Sequence, residues 1–109
     1  MANKSERLAG VIRKNLAEII QMELNNPHLG FITISDVMVS GDISYATIYV
    51  SFVIESQEKE GIKILERSKG FIRSKLAYRL DTRRCPELRF VLDEGYKKEA
   101  RISELLDKE

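Results

Sequence analysis

Several residue types and segments are rare or missing in this 109-residue sequence, and their absence excludes some classes of protein. It has one cysteine, one histidine and no tryptophan. A single cysteine can form neither an intramolecular disulfide nor a multi-cysteine metal site. No apolar run approaches the roughly 20 residues that a transmembrane helix needs, and the first ten residues lack the apolar segment of a signal peptide. We therefore expect a cytoplasmic protein that does not contact membranes.

Groups suited to catalysis are equally sparse. His28 lies in a Pro-His-Leu-Gly turn, and Cys85 is far from it in sequence. The two could form a nucleophile–base pair only if the fold joined them, and we interpret His28 as a loop residue and Cys85 as a small packing residue. No phosphate-binding glycine loop occurs, and the acidic residues lack metal-ligand spacing. We predict no catalytic residue, metal or cofactor, and hence no enzyme.

Charge is unevenly distributed along the chain. Hydrophobic residues make up 43% and charged residues 32% of the sequence, as is typical of one soluble globular domain. The net charge of +1 divides into +6 for residues 67–84 and −5 for the rest. Such asymmetry favours a nucleic-acid partner. A solvated helix face rich in lysine and arginine is the alternative.

The order of predicted elements indicates an α+β domain. They are a helix over 3–25 that Asn3 caps and Pro27 stops, strands over 31–39 and 43–54, a helical region over 62–84, a strand over 87–93 and a helical segment over 96–109. The order α-β-β-α-α-β, with a terminal helix, predicts a three-stranded sheet with helices on one face.

Alternation in the second strand assigns its two faces. Ala46, Ile48, Val50 and Phe52 should face the core, and Tyr45, Thr47, Tyr49 and Ser51 should face solvent or a partner. Tyrosines on an open sheet face can stack on bases or dock a protein. Strand propensity and cross-strand pairing also explain them.

One position in the helical region 62–84 breaks the apolar pattern. Apolar residues recur at helical spacing, at Ile62, Leu65, Ile72, Leu76 and Leu80. Lys69 occupies a position where this series requires an apolar side chain, and an unpaired buried charge costs several kcal/mol, roughly. We therefore predict a kink at Ser68-Lys69-Gly70, with glycine adopting the non-helical dihedrals.

Cations border this apolar series. On a continuous helix Lys75, Arg79 and Arg83 would form one stripe, at i, i+4 and i+8. Arginine and lysine side chains bind phosphates, and the start of the second helix favours anions. The candidate RNA-binding residues are Lys69, Arg73, Lys75, Arg79, Arg83 and Arg84.

Five segments resemble the bacterial ribosome-binding factor A family, in order and at the family's spacing. They are residues 26–37 (NPHLGFITISDV), 46–51, 70–74, 86–90 and 100–102. The resemblance implies one type II KH-like ribosome-binding domain over 1–109, in which a helix–kink–helix replaces the usual Gly-x-x-Gly loop. Serine at position 68 departs mildly from the family's Ala-x-Gly kink.

The same resemblance implies a function. Proteins of this family bind immature small (30S) ribosomal subunits and 16S ribosomal RNA, assist processing of the RNA 5′ end, and matter for growth in the cold. We therefore expect a monomeric assembly factor whose partner is the small subunit, contacted through its 16S RNA; the sequence leaves open whether ribosomal proteins are contacted as well. The alternative is a protein-interaction module that docks through the exposed sheet face, with the basic helix only solvated.

Overall fold

A computed structural model describes residues 3–24, 26–80 and 85–94. The regular elements in these ranges are helix α1 (Lys4–Glu18), a π-helical turn (Ile19–Leu24), strands β1 (Ile32–Val39) and β2 (Tyr45–Phe52), helices α2 (Glu58–Arg67) and α3 (Lys69–Arg79), and strand β3 (Glu87–Leu92). Short 3-10 turns at Pro27–Leu29 and Glu55–Gln57 connect them. The predicted α-β-β-α-kink-α-β order is confirmed. The terminal helical segment predicted over 96–109 lies outside the described residues.

The first helix begins where the sequence indicates but changes type before it ends. The Asn3 side chain accepts a hydrogen bond from the backbone N–H of Glu6 at 2.8 Å, which satisfies a donor of the first turn. The prediction of one α-helix over 3–25 was wrong beyond Glu18, where the π-helical turn begins. The spacing of apolar residues did not indicate this change of helix type, because a continuing α-helix would bury Ile19 and Ile20 as well.

Strand β2 is the centre of the three-stranded sheet. It pairs antiparallel with β1 and parallel with β3, in the order β1-β2-β3. A register shift between Ile34 and Asp36 leaves Ser35 as a bulge, and the Ser35 hydroxyl donates to the Tyr49 carbonyl oxygen at 3.1 Å. Strand β2 begins two residues later than predicted, because the connecting loop extends beyond the predicted turn at 40–42 to Ser44, and both strands are also shorter than predicted at the ends away from this loop. In that loop, hydrogen bonds from Ser44 and Ser40 lower the pKa of Asp42 to about 2.

The helices cover one face of the sheet, as predicted. The buried positions of β2 are Ala46, Ile48, Val50 and Phe52. They pack with the apolar faces of the helices in a single cluster. The opposite sheet face carries exposed or half-buried side chains, including Tyr45 and Tyr49. No helix in the described ranges combines the length and the apolar character needed to span a bilayer.

Helix α2 lies close to the end of β2 because of a glycine. The helix begins at Glu58, whereas the sequence pattern indicated a polar connection through residue 61. Gly61 is buried, and a Cβ atom at this position would lie 2.1 Å from Cε1 of the Phe52 ring. The absence of a side chain therefore permits the contact between α2 and the sheet.

We predict opposite stability effects of alanine at two glycines. Gly61→Ala forces the Phe52 ring to move within a packed core and should lower the free energy of unfolding by about 1–3 kcal/mol. Gly70→Ala is the matched control, since a Cβ at Gly70 has no atom within 4 Å; the gain in helix propensity should raise stability by about 0.5–1 kcal/mol. Urea denaturation of both variants measures the difference. Equal effects would contradict the packing argument.

Candidate nucleic-acid interface

Ser68 interrupts the helical region between α2 and α3. Its dihedrals (φ −93°, ψ 3°) lie between the regular regions. Its N–H donates to the Ile64 carbonyl oxygen, and its own carbonyl oxygen accepts the first hydrogen bond of α3, from the Ile72 N–H; both distances are 2.9 Å. The backbone therefore passes from one helix to the next through a single residue, and the predicted kink is confirmed.

The kink rotates Lys69 out of the apolar series. Leu65 and Ile72 are both fully buried, and Lys69 lies between them. Its side chain is 32% exposed, and its ammonium group pairs with the Glu66 carboxylate at 2.7 Å. The cost of burying an unpaired charge is thus avoided.

The expected role of glycine in the kink was wrong. Gly70 is the second residue of α3 and has helical surroundings, whereas the non-helical dihedrals belong to Ser68. Those dihedrals have negative φ and are open to residues with a side chain. Ser68 also makes no side-chain capping hydrogen bond to α3. Gly70 instead leaves the backbone at the start of α3 uncovered.

Arg73 and Lys75 are the most available cations of α3 in the described ranges. Arg73 donates through Nη2 to the Cys85 carbonyl oxygen at 2.9 Å, which orients the guanidinium group toward the start of β3 without neutralising it. The Lys75 ammonium group lies 5.5 Å from the centre of the Phe71 ring, within the range of a cation–π contact. Both residues are exposed.

Arg79 forms ion pairs with other residues of the protein. Its Nη1 donates to Glu18 at 2.6 Å and its Nη2 to Glu23 at 3.3 Å, so that it joins α3 to α1 and to the π-helical turn. A further, longer contact reaches Asn15. The hydrogen bond to Glu18 raises the pKa of Arg79. The side chain is 26% exposed and carries two carboxylate partners.

Two of the three residues of the predicted stripe lie in the described part of the chain. Helix α3 ends at Arg79, because Leu80 has an extended backbone (φ −79°, ψ 128°). Of the predicted stripe, Lys75 and Arg79 therefore lie on α3. Arg83 and Arg84 lie outside the described residues.

Two exposed aromatic side chains on α3 were not identified from the sequence. Phe71 is 43% exposed and Tyr78 is 93% exposed. Apolar spacing indicates the buried series of Ile72 and Leu76 and is silent about aromatic residues outside that series. Their spacing from Lys75, four residues before it and three after it, was the available signal, since stacking side chains beside cations are typical of nucleic-acid surfaces.

The open sheet face has a cation of its own. The Arg89 guanidinium lies 3.9 Å from the centre of the Tyr45 ring. Met38 and Val91 on the same face are 58% and 41% exposed. The face thus combines apolar patches with a stacked arginine, which the alternation in β2 alone could not predict.

Groups suited to metal binding or nucleophilic attack do not converge in the described part of the chain. No three of its His, Cys, Asp and Glu side chains are placed to hold a metal ion. Burial raises the pKa of the Cys85 thiol, which disfavours the thiolate. We retain the prediction that the chain is not an enzyme.

Comparison with known proteins identifies the family. The sequence profile of ribosome-binding factor A matches residues 4–106. The ribosome-binding factor A of Macrococcus caseolyticus is 44% identical and aligns over 96% of each chain. That of Halorhodospira halophila is 42% identical over 95% of this chain and 84% of its own length. The chain belongs to the ribosome-binding factor A family.

Solved structures of the family share this fold. The crystal structure of ribosome-binding factor A from Thermus thermophilus matches with a TM-score of 0.74 at 31% identity, over 83% of this chain and 97% of that one. The solution structure of a Thermotoga maritima protein described as a putative ribosome-binding factor A has a TM-score of 0.72 at 40% identity, over 87% and 94%. The α+β, KH-like fold predicted from the sequence is confirmed.

A third similar structure was placed in a complex. It is a homology model of the Thermus thermophilus ribosome-binding factor A, fitted into a cryo-EM map of its complex with the 30S subunit. Its TM-score with this chain is 0.68 at 31% identity, over 79% of this chain and 91% of that one.

We predict that Arg79 stabilises the fold through its ion pairs. Arg79→Gln should lower the melting temperature, because it leaves Glu18 and Glu23 without their cation. Salt screens such pairs, so the difference from wild type should shrink between about 0.05 M and 0.5 M NaCl. Arg67→Gln is the control, since Arg67 pairs with Glu60 at 3.3 Å and both side chains are more than half exposed. An equal effect of the two substitutions in thermal melts would contradict this role.

Proposed function

We propose that this protein binds the small ribosomal subunit as a non-catalytic assembly factor. The observation that carries the proposal is the basic, kinked α2–α3 unit on a chain of this family. The Thermus thermophilus relative fitted into a 30S complex supports the same partner. Within that role we propose that the protein holds a conformation of immature 16S ribosomal RNA, assists processing of its 5′ end and supports growth in the cold.

The RNA-contacting surface is the basic surface of α3. Its members are Lys69, Arg73, Lys75 and Arg79, together with Arg83 and Arg84 of the following segment. Exposed Arg73 and Lys75 lack carboxylate partners among the described residues and so can reach phosphates directly. Lys69 would exchange its Glu66 contact for a phosphate. Arg79 would contribute mainly by holding α3 against α1.

The aromatic side chains of α3 add a second kind of contact. Exposed Phe71 and Tyr78 lie one helical turn before Lys75 and three residues after it, so these three side chains share one side of α3, whereas Arg73 lies on the other flank of its buried face. Their rings can stack on unpaired bases while the cations neutralise phosphates. The uncovered backbone at Gly70 allows close approach of RNA to the start of α3. RNA is therefore bound by the surface of a helix, since the sequence lacks the paired glycines of a KH loop.

The open sheet face is a second candidate surface, favoured by the exposure of Met38 and Val91. A protein docked there would depend on apolar burial, so its affinity would vary little with salt. RNA bound through α3 would lose affinity steeply as salt rises. Small-subunit binding measured at several salt concentrations therefore distinguishes the two.

We predict that reversing two charges on α3 weakens small-subunit binding. The double variant Arg73→Glu, Lys75→Glu should lose at least about tenfold in affinity in co-sedimentation with small subunits, because two phosphate contacts are replaced by repulsion. The slope of log affinity against log salt should become shallower by about 1–2, roughly one for each lost contact. Both side chains are exposed, so the variant should stay folded, with a small decrease in melting temperature from loss of the Arg73 hydrogen bond to the Cys85 carbonyl oxygen.

The matched control is Lys59→Glu, Lys63→Glu on the exposed side of α2, which makes the same change in net charge. This control should retain most of the affinity. Equal losses of affinity in the two double variants would mean that only the overall charge of the protein matters, and would contradict the assigned surface. Unchanged binding by the α3 variant would contradict the assigned surface.

A further inference from the structure

A groove runs between α1 and strand β1, on a different flank of α1 from the one that contacts Arg79. Its first part has a volume of about 430 Å³. Its walls are Gly10, Arg13, Lys14, Ala17 and Gln21 of the helical segment and Ile32, Thr33 and Ile34 of the strand, over buried Ile20. A second part of about 430 Å³ shares Ile20, Gln21, Ile32 and Thr33 and continues to Asn26, Gly30, Phe31 and Val53. The two parts share these four residues and lie next to one another along the sheet edge, and we treat them as one groove.

The groove is positively charged and has no carboxylate in its walls. Arg13 and Lys14 line its first part, and neither forms an ion pair with another described residue. Arg13 makes one weak contact, from Nη2 to the Ile34 carbonyl oxygen at 3.4 Å. Its other donors are therefore available to a ligand. By contrast, the cavities beside α2 and α3 contain Glu60 and Glu23.

Aromatic and amide side chains occupy the other end. Phe31 is 72% exposed, although its neighbour Leu29 is buried. Ile34 follows Phe31 by three positions along extended backbone, which is roughly 10 Å at about 3.3 Å per residue. A chain of nucleotides lying along the groove could therefore place phosphates on Arg13 and Lys14 and a base on the Phe31 ring. The amides of Gln21 and Asn26 and the hydroxyl of Thr33 offer hydrogen bonds to base edges.

We propose that this groove binds single-stranded RNA, as a second contact separate from the basic surface of α3. Cations in a carboxylate-free groove followed by an exposed ring match the requirements of a polyanion with stackable bases. A protein strand added to the β1 edge fits less well, because Arg13 already lies over the backbone of that edge, an arrangement that protects edges from strand addition. The inference rests on the proposed function for the class of partner, and it extends the RNA contact to the sheet edge.

The test uses a fluorescein-labelled eight-nucleotide oligouridine, single-stranded or paired with its complement, in anisotropy titrations with the full chain. Phe31→Ala should weaken binding of the single strand by about fivefold to a hundredfold, as expected for loss of one stacked base. It should leave binding of the duplex unchanged. Met22→Ala is the control, since Met22 is also highly exposed (74%) but lies outside the groove walls.

A second variant tests the charged end. Arg13→Glu, Lys14→Glu should weaken single-strand binding and make the salt slope shallower by about 1.4, which corresponds to two phosphates on a single strand. Lys59→Glu, Lys63→Glu again provides the control of equal charge. A wild-type protein that does not bind the single strand, or unchanged affinity in Phe31→Ala, would overturn the proposal.

Crosslinking keeps the proposal testable if a variant fails to fold. Wild-type protein crosslinked to the same oligonucleotide carrying 4-thiouridine should yield adducts within residues 10–34, and adducts confined to residues 69–79 would overturn the proposal.

Small-subunit co-sedimentation is measured in parallel. Groove variants that lose the subunit but keep the oligonucleotide would indicate a ribosomal protein in the groove and contradict the RNA assignment. A wild-type chain that binds the oligonucleotide but not the subunit would contradict the proposed function alone.

Discussion

Burial of Leu65 and Ile72 on either side of a lysine is the constraint on which this structure depends. An uninterrupted helix would carry the Lys69 ammonium into the core between them, where no interaction would offset the loss of its hydration. One non-helical residue, Ser68, shifts the helical phase, so that both apolar residues stay buried and Lys69 reaches Glu66. The kink that places the start of α3 at the surface is thus a consequence of core packing.

The basic segment does not behave as a uniform charged surface. Tertiary contacts divide its cations between structure and binding: Arg79 connects α3 to the N-terminal helical segment, whereas Arg73 and Lys75 remain available. The fold uses one arginine to fix the helix that presents the others. The number of cations in the basic segment is therefore larger than the number that can reach a phosphate. The groove at β1 gave no signal in the charge distribution, because its two cations belong to α1, which also carries acidic residues.

Much of the fold followed from local patterns. Alternation in β2 assigned both faces of the sheet correctly, and Asn3 indicated the start of α1, because these signals depend on neighbours in the chain. The errors occur where a distant contact decides. Gly61 permits α2 to begin before the predicted position by admitting the Phe52 ring, and the π-helical turn and the end of α3 at Arg79 have no signature in apolar spacing. The family resemblance supplied the fold name and the partner, which spacing could not supply.

The sequence by itself determined the α+β class, the existence of a break near residues 68–70 and the basic character of the helix after it. Each follows from periodicity and charge, which are properties of the chain. Only the tertiary structure decided that Ser68 rather than Gly70 bends the backbone, that Arg79 is held by Glu18 and Glu23, and that Arg13 and Phe31 line one groove. The reason is physical: these outcomes depend on distances between residues far apart in sequence, which are fixed only when the helices pack on the sheet.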